Sequence, residues 1–293
     1  MAENKFSGTG VAITTPFNEK NSPDLESLTV HVNYLKSNGI DFLVVLGTTG
    51  ESVTLNTDEK EAVVKTILKA NNGDLPVVLG LGGNNTHAIV EKIKSTDFKG
   101  IDAILSVAPY YNKPTQEGLY QHFKVISENS PVPIILYNVP GRTGKNIEPG
   151  TILKLANDFK NIIAVKEASG SIEQSMDIIR DKPSDFIVLS GEDAITLPLM
   201  SVGVSGVISV VANVLPKEMS DMVHAALSNN FNKANLLHYR LLPVIEKLFA
   251  EGNPAGIKCA LELKGIISGY LRLPLTQVSE QLRNEIQKDL NQF

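Results

Sequence analysis

Lys166 closes the run Ile162-Ile-Ala-Val-Lys166, four apolar residues followed by one amine. An amine at the tip of a run that must be buried is driven toward its neutral form, and a neutral amine attacks carbonyl carbon to give an imine. Taken alone, the residue reads more readily as a lysine that snorkels to water or pairs with Glu167. The neighbouring run ends favour the chemical reading. Pro133-Ile-Ile-Leu-Tyr137 ends in a phenol that could pass protons to and from a carbinolamine. Gly47-Thr48-Thr49-Gly50-Glu51 follows another run. Its two hydroxyls could relay those protons and hydrogen-bond a carboxylate, and its glycines would let backbone N–H groups approach an anion. A turn capped by threonine explains the same five residues. Arg142, in Asn138-Val-Pro-Gly-Arg142-Thr-Gly144, suits bidentate capture of a carboxylate, with a surface salt bridge as the plainer alternative. Tyr110 and Tyr111 precede Asn112-Lys-Pro and are read as packing or as an edge that meets another subunit, with the second favoured.

Something must carry these groups to one place. Eight short β-branched runs recur: Val11–Thr14, Phe42–Leu46, Pro76–Leu79, Ala103–Val107, Pro133–Tyr137, Ile162–Lys166, Phe186–Leu189 and Gly206–Val210. They are continuous rather than alternating, as parallel strands buried on both faces are. Helical spacing lies between them, as in Leu25, Leu28, Val32 and Leu35, or Ala62, Val63, Ile67 and Ala70. Ser171 and Thr115 stand as N-caps. Runs recur every 25 to 30 residues or so, roughly one βα unit each. Eight units predict an α/β fold, a (β/α)8 TIM barrel over residues 1–228, whose catalytic groups gather at the C-terminal strand ends. A dinucleotide-binding sheet is disfavoured because the first run ends in Thr14-Thr15-Pro16 rather than a glycine fingerprint. Beyond the eighth run only helical pattern remains, roughly at 216–229, 231–250, 254–268 and 276–290, which makes 229–293 a C-terminal helical extension.

Composition narrows the chemistry. The net charge of −5 comes with mixed signs and no basic stripe, which argues against nucleic acid and anionic membrane as partners. The single cysteine, Cys259, allows neither an internal disulfide nor a cysteine zinc site. The start is polar and no apolar stretch reaches the ~20 residues of a membrane span, so a cytoplasmic location is expected. His31, His87, His122, His224 and His238 avoid run ends and metal-ligand spacings, which disfavours a zinc-dependent aldolase and predicts no metal. A pyridoxal phosphate enzyme could place its phosphate at Gly80–Gly83 or Gly203–Gly206, but no acid or arginine is evident for the pyridine nitrogen. A sugar-binding barrel leaves Lys166 and Tyr137 unexplained.

Three motifs together, Gly47-Thr-Thr-Gly-Glu51, Tyr137-Asn-Val-Pro-Gly-Arg-Thr-Gly144 and Val165-Lys-Glu-Ala-Ser169, resemble the pyruvate-dependent lyase/synthase superfamily, and within it the dihydrodipicolinate synthase family. Ala108-Pro-Tyr-Tyr-Asn-Lys-Pro114, Gly191-Glu-Asp193, Gly206-Val-Ile-Ser209 and Asn253-Pro-Ala-Gly-Ile-Lys258 extend the resemblance over the whole chain. It implies condensation of pyruvate with L-aspartate 4-semialdehyde to 4-hydroxy-tetrahydrodipicolinate, in lysine and diaminopimelate biosynthesis. Lys166 would form the Schiff base, so no cofactor is needed beyond that covalent imine. Tyr137 would move protons, with Thr48 linking it to Tyr111 of a neighbouring subunit. Thr49 would hold the pyruvate carboxylate, Arg142 that of the aldehyde, and Gly191 and Ile208 would line the pyruvate end. A homotetramer, a dimer of dimers, is implied. N-acetylneuraminate lyase or another aldolase of the superfamily is the alternative; such relatives take a neutral sugar aldehyde, which needs no clamp at Arg142. At the effector site of lysine-inhibited members Ser52, Asn84 and Tyr110 match, whereas Val53, Thr57, Lys60 and Ala88 do not. Weak or absent inhibition by lysine is therefore expected.

Overall fold

The computed structural model describes residues 5–293; the polar start at 1–4 lies outside the described residues. Eight strands form one closed barrel in chain order: β1 (Gly8–Ala12), β2 (Phe42–Val45), β3 (Val77–Gly80), β4 (Ala103–Val107), β5 (Ile134–Asn138), β6 (Ile162–Glu167), β7 (Ile187–Ser190) and β8 (Gly206–Ser209). All eight expected strands are present. The intervening helices are α1 (Leu25–Lys36), α2 (Thr57–Asn71), α3 (Thr86–Ser95), α4 (Gln116–Asn129), α5 (Pro140–Thr143), α6 (Pro149–Asp158), α7 (Ile172–Asp181) and α8 (Thr196–Ser201). Then come α9 (Pro216–Leu227), α10 (Phe231–Ala250), α11 (Ala255–Leu263) and α12 (Glu280–Leu290). The last three make up a C-terminal helical extension.

The chain divides into two compact units, residues 8–76 with 209–293, and residues 77–208 with residues 5–7. In the first, β1 begins three residues earlier than its apolar run. Gly8-Thr-Gly10 lacks strand composition, yet a Cβ on Gly10 would stand 2.2 Å from the Phe42 ring, so the bare backbone makes room for that side chain. Asn213 ties this unit together: its Nδ2 donates to Ala12 O (2.9 Å), and its Oδ1 accepts from Thr14 N (3.1 Å). His31 of α1 is buried and its Nε2 reaches Asn213 O at 3.1 Å. α11 stops at Leu263 rather than near 268, because Gly265 turns left-handed (φ 69°) and Gly265 N bonds back to Glu262 O (2.9 Å). α12 starts later than expected because Ser279 caps it, its hydroxyl accepting from Leu282 N.

In the second unit β3 to β7 pair in parallel, each strand with the next. Thr115 and Ser171 cap α4 and α7 as expected, accepting from Gly118 N (3.1 Å) and Gln174 N (3.0 Å). The segment carrying Arg142 is a one-turn helix, α5, not an open loop. Pro140 sets its first position and Gly144 (φ 70°) ends it in the left-handed region.

Candidate active site

Strand register brings the lysine and the phenol together. On the β5–β6 pair Tyr137 stands opposite Lys166, and Asn138 opposite Glu167. Side chains alternate along a strand, so the first pair shares one face and the second the other. Lys166 Nζ lies 4.5 Å from the centre of the Tyr137 ring. Both residues are buried, with 5% and 7% of their surface exposed.

Glu167 is not the partner of Lys166. Its Oε1 accepts from Ser169 N (2.7 Å), and its Oε2 from Asn138 Nδ2 (3.0 Å) and Gln174 Nε2 (2.9 Å). Lys166 makes no ion pair with a carboxylate among the described residues. The amine is thus enclosed, beside a phenol, and not locked in a salt bridge.

Gly191, at the end of β7, is flush against it. A Cβ there would stand 2.5 Å from Ala168 Cβ and 3.0 Å from Lys166 Cε. Its N–H donates to Glu167 O (2.7 Å). Glu192 follows, half-buried; burial and neighbouring Asp193 raise its carboxyl above the usual range, and Lys166 and Arg142 oppose the shift. Ile208 is buried on β8. Arg142 sits exposed on α5. Tyr111 is 90% exposed with φ 72°, at a corner clamped by Asn84. Asn84 Nδ2 donates to Tyr110 O (3.1 Å) and Asn112 Nδ2 to Asn84 O (3.2 Å).

The threonine pair belongs to the other unit. Thr48–Gly50 and Ser52–Thr54 are two 3₁₀ turns joined at Glu51, whose φ of 51° is unusual for a residue with a side chain. Thr15 Oγ1 donates to Gly50 O (2.7 Å), and Asn253 Nδ2 donates to Thr49 Oγ1 (3.0 Å). Glu51, buried, forms an ion pair with buried Lys258 and accepts from Arg272 N (3.2 Å). Lys258 Nζ donates to Tyr270 O (2.9 Å) and lies 4.1 Å over Phe17. Burial lowers this lysine to about 8, against the pull of Glu51. A second cation, Arg272, lies on Phe17 at 4.5 Å and binds Glu59. Breaking one member of such a buried pair typically costs about 3–5 kcal/mol, so the strained turn is firmly held.

Sequence reasoning singled out Lys166, Tyr137, Gly191 and the Thr48–Thr49 turn as candidates. It gave no role to Asn253, Lys258 or Arg272, which support that turn; the available signal was a lysine inside the apolar stretch Ala255–Leu263. Among the described residues no group of three or more His, Cys, Asp or Glu could hold a metal ion, and no helix is long and apolar enough to cross a membrane.

Residues 5–293 match the model of the dihydrodipicolinate synthetase family. The 4-hydroxy-tetrahydrodipicolinate synthase of Flavobacterium psychrophilum is 54% identical over 281 residues, covering 96% of each chain. The crystal structure of dihydrodipicolinate synthase from Thermotoga maritima is 44% identical, covers 99% of both chains and superposes with a TM-score of 0.96. A monomeric variant of dihydrodipicolinate synthase is also 44% identical, covering 98% of this chain and 96% of the variant, with a TM-score of 0.95.

Proposed function

This chain belongs to the dihydrodipicolinate synthetase family, and from that premise we propose that Lys166 is the Schiff-base nucleophile of its reaction. The reaction is the condensation of pyruvate with L-aspartate 4-semialdehyde to 4-hydroxy-tetrahydrodipicolinate, a lyase step of lysine and diaminopimelate biosynthesis. The observation that supports the nucleophile is the buried amine of Lys166, set over Tyr137 by strand register and not tied to a carboxylate.

The Lys166 amine adds to the pyruvate ketone. Tyr137 delivers a proton to the departing hydroxyl, and water leaves as the imine forms. The imine withdraws electrons, so the adjacent methyl group loses a proton and becomes an enamine. The enamine carbon attacks the aldehyde of the second substrate, whose oxygen takes up a proton. That substrate's own amine then adds to the imine carbon and displaces Lys166, which regenerates the enzyme. Over the whole cycle one water is formed.

In this reading Thr49 binds the pyruvate carboxylate, with Gly191 and Ile208 lining that end. Thr48 and Tyr111 pass protons with Tyr137, and Arg142 clamps the carboxylate of the aldehyde. No cofactor is required beyond the covalent imine, and the protein works in the cytoplasm as a homotetramer in which Tyr111 serves a neighbouring subunit. The test is pyruvate consumption by purified enzyme with aspartate semialdehyde, N-acetylmannosamine or glyceraldehyde. Turnover confined to aspartate semialdehyde, and lost by several orders of magnitude in Lys166→Ala, is expected. Near-normal turnover by Lys166→Ala would remove the nucleophile assignment.

A further inference from the structure

Lys166 and Tyr137 face one side of their strands; the residues next to them, Glu167 and Asn138, open a hydrogen-bonded network on the other. Glu167 is buried and answered only by N–H donors, from Ser169, Asn138 and Gln174. Asn138 Nδ2 is shared between Glu167 Oε2 and Asn146 Oδ1 (2.7 Å), while its Oδ1 accepts from Ile147 N (2.9 Å). Asn146 Nδ2 donates to Gln174 Oε1 (2.7 Å), and Gln174 Nε2 reaches Asn146 Oδ1 in return (3.2 Å). Gln116 Nε2 holds Asn146 O at 2.9 Å. Nearly every polar atom of the four side chains is used.

The network has one geometric consequence. The chain leaves β5 at Asn138, runs through α5 with Arg142, and is returned to Asn138 at Asn146 and Ile147. Between those points the chain buries Val139 and Thr143, while a Cβ on Gly141 would meet nothing within 4 Å and Arg142 is exposed. The far end of the excursion is held by the hydrogen bonds among Asn138, Asn146, Gln174 and Glu167. The strands bearing Tyr137 and Lys166 have their ladder hydrogen bonds besides.

We propose that Asn138, Asn146, Gln174 and Glu167 form a positioning network that fixes Arg142 for the incoming aldehyde while leaving imine formation at Lys166 to the strand ladder. The proposal rests on the reading of Arg142 as the aldehyde's carboxylate clamp. These residues act through Arg142, so their loss separates the two halves of the reaction. Gln174→Met keeps the side-chain length and removes both polar atoms of the amide. It should raise the KM for aspartate semialdehyde on the order of tenfold, since the three hydrogen bonds that Gln174 makes to Asn146 and Glu167 act on Arg142 only through the intervening chain. The KM for pyruvate and the rate of borohydride trapping at Lys166 should stay within about twofold, as uniform binding of the first substrate is untouched. Asn146→Ser, at a half-buried position, makes the same prediction should Gln174→Met fail to fold.

Arg142→Ala run alongside separates the possibilities. A selective rise in the aldehyde KM for all three variants supports the network. A selective rise for Arg142→Ala with unchanged kinetics in Gln174→Met and Asn146→Ser overturns the network and leaves the clamp standing. A parallel loss of trapping and of both KM values in the network variants also overturns it, since the residues would then only hold the fold. No selective effect in Arg142→Ala removes the clamp and the network's purpose with it.

Discussion

Gly191 shows how close the backbone comes to the amine of Lys166, the proposed nucleophile. The 3.0 Å that a Cβ would leave to Lys166 Cε is tighter than ordinary contact, and Ala168 Cβ at 2.5 Å blocks retreat. Gly191→Ala should therefore push the lysine from its place and lower kcat by tenfold or more, since misplacement of a reacting group by ~1 Å can cost a hundredfold. Equal kcat in wild type and variant, measured at saturating substrates, would show that the lysine has room to adapt. Which of these residues were legible beforehand follows from chain order. Lys166, Tyr137 and Gly191 terminate apolar runs, and a barrel turns run ends into site positions. Asn253 reaches Thr49 across 204 positions of sequence, and Lys258 reaches Glu51 from α11. Nothing local announces such pairings, and the only hint is a charge where an apolar residue is expected. The same holds for Glu167. From sequence it is a possible partner of Lys166, and only the alternation of the strand, with Gln174 waiting on α7, sends it the other way.

Among the elements, α1 carries a group that links stability to pH. Burial holds His31 down to about 4 from 6.5, against a backbone hydrogen bond to Asn213 that raises it. The unfolded chain binds a proton near 6.5 that the folded chain refuses until about 4, so stability falls as the pH drops through that window. At 1.36 kcal/mol per pKa unit the loss from this one group reaches about 3 kcal/mol by the lower end. His122, lowered to about 4 by burial, adds in the same direction. Urea unfolding at pH 6.5 and 4.5 should show a smaller loss in His31→Gln than in wild type. Equal losses would mean that His31 has no share in the acid sensitivity. Element types were readable from periodicity, whereas their ends were decided by single contacts: Phe42 filling the space above Gly10, Gly265 stopping α11, Ser279 starting α12, and Pro140 with Gly144 enclosing α5.

For the whole molecule, the eight-strand closed barrel is what the recurring apolar runs predict, and its assembly is what they cannot encode. The proposed homotetramer comes from the family resemblance, and the 90% exposure of Tyr111 at a left-handed backbone position suits a side chain offered to another subunit. Lysine sensitivity belongs to the same scale. Val53 is 86% exposed, and neither it nor Ala88 supplies a polar group, while Lys60 adds a positive charge that would repel a lysine ammonium. Lysine at 1 mM or so should accordingly leave most activity intact, as a charge of the wrong sign opposes binding; half-maximal inhibition well below that concentration would contradict the reading. The most direct test of the central claim is borohydride reduction of the enzyme with pyruvate alone, followed by peptide mass spectrometry. The account predicts one pyruvate-derived adduct on Lys166, formed without any aldehyde. An adduct on another lysine, or none at all, would contradict it.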